Sequence, residues 1–374
     1  MHLAPTDEQQ VVPQEARRLL AAEITRERRL EWDKTADGHD AAFWRAVSKL
    51  GWFGYGIPDA FGGHGASLLD VGLLVEECGR AVAPFGIFAS FCGSYALGQL
   101  GSAAQKREWL PAIAQGEKLV TLACAEAGAT HDPAAFTTVL KRRGRQVRLD
   151  GTKSFVLQGV TADAFLVAAR DGRGVSLVLV PMDTPGVKVE AQQTIAKDRQ
   201  SRITFRNVAL PATALVGKPG SIWPRLEKLR HALATLLCCD LVGGADAVLD
   251  MTVKYVCERE QFGVKLATFQ AVQQMAAVMA IDLEGARHVT HQALWRLAEG
   301  LPADREVAIA KTWTGRAYRD VTIAAHQLHG GAGYVVEHVL HRHTLRAKQA
   351  ELLFGSTEEW MEDLAGQLRL TSAR

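Results

Sequence analysis

The stretch YVCEREQFGVKLATFQAVQQ, residues 255–274, separates two long helical patterns. Apolar side chains recur at helical spacing on both sides of it, and Gly263 breaks this period. Arg259 precedes the break, with Gln261 and Phe262 beside it, and can offer a forked set of donors to a phosphate or pyrophosphate. The alternative is the end of a helix that has a basic residue in its last turn and is closed by a glycine.

A second glycine-rich element, QLHGGAGY at residues 327–334, follows a later helical pattern. The two elements together resemble the R-x-Q-F-G…F-Q and Q-x-x-G-G-x-G-[YF] patterns of the acyl-CoA dehydrogenase family. The resemblance implies FAD as the cofactor, and it implies that both elements of one subunit hold the FAD of the neighbouring subunit. The cofactor-binding residues implied in this way are Arg259, Gln261, Phe262, Gln270, Gln327, Gly330 and Gly331.

The composition is that of an ordinary globular protein. The chain has 374 residues, of which 48% are apolar and 22% charged, and this length is enough for two or three domains. The net charge of +2 gives no support for nucleic-acid binding, which normally needs a marked basic excess. The six cysteines form no C-x-x-C pair, so we expect neither a metal site nor a redox motif. Their apolar surroundings favour reduced core thiols and a cytoplasmic location.

The sequence predicts neither a signal peptide nor a membrane span. Residues 1–20 contain Asp7, Glu8 and Glu15 and lack the apolar stretch of a signal peptide. No apolar run reaches the length that we expect of a segment spanning a bilayer. We therefore expect neither a membrane nor a nucleic acid among the partners of this protein.

The hydrophobic period changes twice along the chain and divides it into three predicted domains. Residues 1–118 are expected to form an N-terminal helical domain, residues 119–220 a compact antiparallel β domain, and residues 221–374 a C-terminal four-helix bundle. Asp150-Gly151 is a hairpin turn signal between two of the strand-like runs. Alternating βαβ units are missing from the pattern, so a Rossmann fold is not expected. This α+β order agrees with the fold that the resemblance implies.

The resemblance also implies a reaction, the removal of two hydrogens from the α and β carbons of an acyl-CoA thioester. In that family a glutamate takes the α proton and the flavin takes the β hydride. The usual glutamate position falls here on Phe354, and an alternative position, on the helix before R-x-Q-F-G, falls on Leu233. Neither side chain can accept a proton, so we predict no catalytic residue at either position.

Five ionisable residues near these two positions are candidates for a substitute base: Glu351, Glu358, Glu359, Asp240 and His231. For the four carboxylates, the alternative interpretation is charge exposed on the surface of a helix. For the histidine, the alternative is a packed or solvated side chain without a catalytic role.

The predicted β domain lacks several residues with which the family contacts a subunit's own flavin. Residues 125–132 resemble the T-E-P-x-A-G-S-D loop, whose glutamate and aspartate are kept. Ala125 replaces the threonine at the flavin ring, and His131 replaces the serine at the pyrophosphate. In the segment that resembles K-x-W-I-T-N-G, Phe155 can still stack on a ring, but Leu157 replaces the threonine and offers no hydrogen bond.

The contacts to a neighbour's flavin are thus kept, whereas those to the chain's own flavin are mostly lost. This asymmetry predicts a non-catalytic subunit that works beside a second, catalytic acyl-CoA dehydrogenase subunit. The resemblance extends to heteromeric enzymes of bacterial steroid side-chain degradation, with an acyl-CoA substrate and an electron-transferring flavoprotein or similar acceptor. Two alternatives stay open: a homomeric flavoenzyme with a non-standard base, and a flavin-free scaffold protein.

Overall fold

The structure is a computed structural model that describes residues 6–128 and 133–368. Its contacts define two compact units. The sheet unit comprises the described parts of Glu27–Ala66 and Pro84–Arg230. The helical unit comprises the described parts of Met1–Arg26, Ser67–Ala83 and His231–Arg374.

The helices and strands follow one another in the order that the changes of period predict. In chain order, the helices are α1 (Asp7–Glu23), α2 (Arg26–Trp32), α3 (Ala41–Lys49), α4 (Leu68–Arg80), α5 (Phe85–Leu100), α6 (Ala103–Ala114), α7 (Trp223–Glu258), α8 (Gln270–Ala298), α9 (Asp304–His329), α10 (Gly331–Tyr334), α11 (Leu340–Leu352) and α12 (Thr357–Gln367). The strands are β1 (Val120–Ala123), β2 (Val139–Arg143), β3 (Gln146–Leu157), β4 (Ala164–Asp171), β5 (Gly174–Pro181), β6 (Val187–Gln192), β7 (Gln200–Pro211), β8 (Leu215–Val216), β9 (Glu260–Gln261) and β10 (Val264–Lys265).

Short polar residues determine where several helices begin. Thr6, Ser67, Ser102 and Ser356 precede α1, α4, α6 and α12, and each forms a capping box with the third residue of its helix. The hydroxyl oxygen accepts a hydrogen bond from a backbone N–H that has no partner inside the helix. These boundaries therefore follow directly from local sequence.

The sheet has the order β6-β7-β3-β2-β4-β5-β8, with β1 paired to β4. Most neighbours are antiparallel, but β1 runs parallel to β4, and β2 meets β4 through one parallel pair, Val139 and Arg170. The prediction of a purely antiparallel domain is therefore wrong in this detail. Alternation of side chains identifies a strand but carries no information on the direction of its neighbour.

The predicted hairpin turn at Asp150-Gly151 is also wrong, because β3 continues through these residues with a shift of register. The observed turn is Gly144-Arg145, which joins the paired residues Arg143 and Gln146 of β2 and β3. Gly151 has a φ of 142°, and a Cβ atom there would collide with Thr138. The glycine thus marks a bulge and a close approach of backbone rather than a chain reversal.

In the helical unit, α4 and α7 pack closely through glycines. A side chain at Gly79 would collide with the carbonyl oxygen of Asp240, and one at Gly243 with that of Glu76. Further along the chain, α9 packs against α8, α11 and α12. The predicted C-terminal helical region is confirmed, and in the described part of the chain α12 joins the long helices α7, α8 and α9 and the shorter α11.

Two details differ from the expectations about membrane spans and cysteines. By length and composition alone, α7 is apolar enough to cross a membrane, but 83% of its most apolar window is buried inside the protein. Packing against other elements of the protein therefore accounts for its composition. Among the cysteines, Cys257 is exposed rather than part of the core.

Candidate functional site

The R-x-Q-F-G segment forms a small hairpin directly after α7. β9 and β10 pair antiparallel, and the turn between them consists of Phe262 and Gly263, with φ values of 58° and 79°. Positive φ at both central residues is what a two-residue hairpin of type I′ requires. Gly263 therefore closes a hairpin and not a helix, and Phe262 projects from the turn with 92% of its surface exposed.

The glycine-rich segment forms a second turn, between α9 and α10. Gly330 has a φ of 56° and a ψ of −139°, a combination that side chains disfavour. A Cβ atom built on Gly330 or Gly331 would meet nothing within 4 Å. The side of the backbone where a Cβ atom would stand is thus open at this turn, and a ligand can approach it closely.

The fold brings these two turns together. Tyr255, in the last turn of α7, stacks on His329, the last residue of α9, with 4.3 Å between ring centroids and 20° between ring planes. The backbone N–H of Arg259 donates to the carbonyl oxygen of Tyr255 at 2.8 Å. Because His329 directly precedes Gly330, the arginine segment and the glycine turn are neighbours in the helical unit.

All seven residues predicted to bind the cofactor are exposed in the single chain. They offer a guanidinium group, side-chain amides, an aromatic ring and open backbone, which suit an anionic dinucleotide with an aromatic ring system. Their chemistry therefore fits FAD. Their exposure also fits a ligand that lies against the outer surface of the helical unit.

The two positions where the family resemblance places a base carry packed apolar side chains. Leu233 is buried. The ring of Phe354 packs against an apolar cluster of α7, α8, α9 and α12 that includes Cys238, Val307 and Trp360. Its backbone is left-handed, with a φ of 60°, and its carbonyl oxygen accepts a hydrogen bond of 3.2 Å from the Trp360 indole.

A buried lysine that the sequence analysis did not single out holds the turn around Phe354. The Lys311 ammonium donates to the carbonyl oxygens of Ala350, Glu351 and Gly355 at 3.1, 2.9 and 3.1 Å. The first two oxygens lie in the last turn of α11, where helical carbonyls have no partner in the helix, and Gly355 follows three residues after its end. A lysine in the middle of an apolar helical pattern was the available signal, but its partners lie about forty residues away.

Among the candidate substitute bases, Glu351 and Asp240 are buried, so the interpretation as exposed surface charge is wrong for both. Asp240 forms an ion pair with the buried Arg346, which reaches it with two nitrogens. The oxygens of Glu351 accept hydrogen bonds from Arg319, Lys348 and Thr357 at 3.3, 3.1 and 3.2 Å. Carboxylates held in this way are committed to the structure of the bundle.

The other three candidates also have structural partners or stand in solvent. The Nδ1 atom of His231 lies 2.9 Å from a carboxylate oxygen of Asp304. Glu359 accepts a hydrogen bond of 2.8 Å from the backbone N–H of Ser356 and completes the capping box of α12. Glu358, in the first turn of the same helix, is exposed.

In the sheet unit, the positions that correspond to own-flavin contacts offer few polar groups. Ala125 is exposed, Leu157 is buried, and His131 lies outside the described residues, as does Asp132. Phe155 is half exposed at a shift of register in β3, with a φ of 57°. Of the described side chains among these, only Phe155 presents a ring on the surface of the sheet unit.

The retained glutamate of the T-E-P pattern, Glu126, has a structural role. Its carboxylate accepts a hydrogen bond of 2.8 Å from the buried Lys153 and further bonds from Thr137 and Thr138. Burial by itself would raise the pKa of Glu126, but the bonds from Lys153 and Thr137 outweigh it and hold the pKa at about 2. The pair therefore fixes Thr137 and Thr138, which lead into β2.

This low pKa predicts how the contribution of Glu126 depends on pH. Because the pKa is lower in the folded than in the unfolded protein, the stabilisation is present above about pH 4.5 and is lost as the pH falls toward 2. We expect the difference in free energy of unfolding between wild type and Glu126→Gln to shrink over this interval in urea titrations. Glu15→Gln, at a surface pair with Arg18, is the control and should give a small difference throughout. A difference for Glu126→Gln that is constant with pH would contradict the assignment.

Three domain patterns account for most of the chain. The N-terminal, middle and C-terminal domains of acyl-CoA dehydrogenases match residues 6–117, 121–208 and 227–368. Because these matches cover far more than half of the sequence, the chain belongs to the acyl-CoA dehydrogenase family, whose members are oxidoreductases. Membership confirms the predicted fold and the prediction of FAD as the cofactor, and it identifies the chain as a flavoprotein.

Individual relatives are similar over nearly the whole length. The short-chain specific acyl-CoA dehydrogenase of Mus musculus mitochondria is 31% identical over 87% of this chain and 81% of its own. A chain of the ChsE4-ChsE5 complex from Mycobacterium tuberculosis is 29% identical, with a TM-score of 0.91 and coverage of 100% of both chains. A chain of a Tcur3481-Tcur3483 steroid acyl-CoA dehydrogenase variant is 29% identical, with a TM-score of 0.89 and coverage of 97% of this chain and 98% of its own.

Proposed function

We propose that this chain is the non-catalytic subunit of a heteromeric acyl-CoA dehydrogenase. It supplies FAD contacts to a second, catalytic subunit and does not itself abstract the substrate proton. The complex removes two hydrogens from the α and β carbons of an acyl-CoA thioester whose bulky acyl group is the side chain of a steroid. Its electrons pass to an electron-transferring flavoprotein or a similar acceptor.

The observation that carries the proposal is the position of the seven predicted FAD residues on the outer surface of the helical unit. They extend from Arg259 to Gly331 and are all exposed in the single chain. If these residues bound a ligand enclosed within the helical unit, the rest of the unit would cover them. Exposed polar groups beside open backbone suit a cofactor held jointly with another subunit.

The catalytic positions support the second half of the proposal. Phe354 and Leu233 are apolar and packed, so neither can act as a base. Glu351 and Asp240 are engaged in ion pairs, which leaves neither carboxylate poised to take a proton from a thioester. A homomeric enzyme with a substitute base therefore finds no support in these side chains.

The nature of the substrate is inferred from similarity. The complex named ChsE4-ChsE5 and the protein named Tcur3481-Tcur3483 steroid acyl-CoA dehydrogenase both resemble this chain over nearly their full length. Both names join two gene products, which supports the heteromeric assembly, and one of them names a steroid. A fold by itself hosts many substrates, so the steroid assignment depends on this analogy.

The chain's own residues have binding and orienting roles in this proposal. FAD supplies the acceptor for the hydride when it is bound. The Arg259 guanidinium pairs with its pyrophosphate, and the open backbone at Gly330 and Gly331 allows the close approach that a dinucleotide needs. The amides of Gln261, Gln270 and Gln327 are exposed and available to orient it.

Co-expression tests the proposal directly. The chain would be purified alone and together with the acyl-CoA dehydrogenases encoded beside its gene, and flavin absorbance would be measured per chain. We expect stable association with one of these subunits, and flavin retention that depends on both. A chain that holds one flavin per copy in a homo-oligomer and associates with no other dehydrogenase would refute the heteromeric assignment.

Arg259→Ala should weaken FAD retention by the complex by about 10- to 150-fold, since a hydrogen bond to a charged group contributes about 1.5–3 kcal/mol. Leu157→Ala should affect it less, because this buried side chain offers packing alone. Arg18→Ala removes an exposed arginine of the helical unit outside both motifs and is the charge-matched control. The measurement is the dissociation constant of FAD from the reconstituted complex. Equal constants for Arg259→Ala and Arg18→Ala would contradict the contact.

A further inference from the structure

The contact between Tyr255 and His329 connects the two segments that the proposed function assigns to the flavin. Tyr255 lies one turn before Arg259, whose N–H donates to its carbonyl oxygen. His329 lies one residue before Gly330. Apart from the ring stack, the Tyr255 hydroxyl donates to the carbonyl oxygen of His329 at 3.4 Å. The contact therefore joins the end of α7 to the end of α9, just where each helix gives way to a flavin segment.

The imidazole of His329 contributes a ring face rather than hydrogen bonds. The side chain is 4% exposed, and neither of its nitrogens has a hydrogen-bond partner within the described residues. Buried polar atoms normally have partners, and a missing one costs about 1–3 kcal/mol. The imidazole is kept here in spite of this cost, so we infer that the site uses its flat ring, which packs against Tyr255. The ring of His338 is also near, at 4.9 Å between centroids.

The surroundings of the ring keep it neutral. Burial, and then the neighbouring His338 and His326, lower the pKa of His329 to about 4. In the described residues, these histidines belong to no group of three or more side chains that could hold a metal ion. A neutral, buried imidazole stacked on a tyrosine suits a mechanical connection better than an acid, a base or a metal ligand.

We propose that Tyr255 and His329 are a positioning pair, which sets the distance between Arg259 and the open backbone of Gly330 so that both contact the same FAD. This inference rests on the proposed function. Arg259 follows a helix end and precedes a hairpin of two residues per strand, a unit with little stability of its own. The glycine turn likewise lacks side chains at Gly330 and Gly331 that could pack and hold it in place. Without the stack, each segment would keep its chemistry but lose its fixed separation from the other.

The test uses the complex with its co-purified catalytic subunit and measures the rate at which FAD dissociates after dilution. Tyr255→Ala and His329→Ala should each accelerate dissociation by about 3- to 10-fold, as expected for the loss of one aromatic pair. Tyr255→Phe and His329→Phe keep a ring and should restore a rate near that of wild type. Two rescuing variants are needed, because a phenylalanine at one of the two positions can overpack a buried site.

One further variant and one further measurement separate positioning from general loss of stability. Leu294→Ala creates a cavity elsewhere in the helical unit, at a fully buried side chain, and should lower the thermal midpoint without changing FAD dissociation. Subunit association, measured by sedimentation, should be unchanged in the alanine and phenylalanine variants of Tyr255 and His329. If Leu294→Ala accelerates FAD loss as much as His329→Ala does, the positioning role is refuted.

Arg259→Ala distinguishes failure of this inference from failure of the proposed function. If Arg259→Ala accelerates FAD loss and neither Tyr255→Ala nor His329→Ala does, the flavin contact stands and the positioning pair is refuted. If Arg259→Ala has no effect, the proposed function fails, and this inference fails with it. Acceleration by all three, with rescue by a phenylalanine at either ring position, is the expected result.

Discussion

We expect the isolated chain to show no acyl-CoA dehydrogenase activity when it is given FAD, an acyl-CoA and an artificial electron acceptor. Removal of a general base alone typically costs about 10²–10⁴-fold in rate. At the two positions where the family resemblance places the base, Phe354 and Leu233 are packed in apolar surroundings. The apolar residues Ala125 and Leu157 also offer no side-chain hydrogen bond to a flavin ring. Reduction of the acceptor dye, followed by absorbance, is the measurement.

Variants of Phe354 separate the missing base from the missing flavin contacts. Phe354→Glu restores a carboxylate but no polar group at Leu157, so it should not create activity in the isolated chain. In the complex with the catalytic subunit, Phe354→Leu keeps an apolar side chain in the cluster and should change turnover little. Robust turnover by the single wild-type chain would overturn the proposal, and Glu351, Asp240 and His231 would then be tested as bases.

Asp240→Ala should destabilise the helical unit by about 3–5 kcal/mol, because it leaves the Arg346 guanidinium buried without its counter-charge. The bond from Arg346 to the carbonyl oxygen of Ala83, at 2.7 Å, involves a neutral group and cannot replace the counter-charge. The measurement is the free energy of unfolding in urea. The variant should lower the fraction of folded protein without altering the FAD contacts, so the FAD affinity of the folded complex should be preserved.

The double variant Asp240→Leu/Arg346→Met is the control for this ion pair. It replaces both charges by apolar side chains and should be far less destabilising than Asp240→Ala, since the cost comes from the unpaired charge. A loss below about 1 kcal/mol for Asp240→Ala would show that the guanidinium finds other partners or water. Equal losses for the single and double variants would assign the effect to packing instead.

The two segments that carry the candidate flavin contacts are identified by their resemblance to family patterns, and their conformation depends mainly on neighbouring residues. The helical period ends before Arg259, and Gly263 supplies one of the two left-handed residues that a tight hairpin needs. The open backbone at Gly330 and Gly331 likewise follows from the absence of side chains. These features need no information about distant parts of the chain.

Features that depend on distant partners were not predicted. For Asp240, the sequence suggests a substitute base or an exposed charge on a helix, because its partner Arg346 lies 106 residues away. The parallel pairing of β1 with β4 also depends on a distant partner, since strand periodicity does not specify which strand is the neighbour. The sequence predicts a turn at Gly151 because glycine serves both turns and bulges, and only the close approach of Thr138 distinguishes the two.

The packing of Phe354 also limits the evolutionary routes open to this chain. A mutation that introduced glutamate there would place a carboxylate against an apolar cluster, beside the indole of Trp360, and would cost stability before it could contribute to catalysis. Neighbouring positions would have to change first, and selection gives such changes no advantage of their own. The aromatic residue is thus entrenched: placing a carboxylate at this position requires several coordinated changes rather than one.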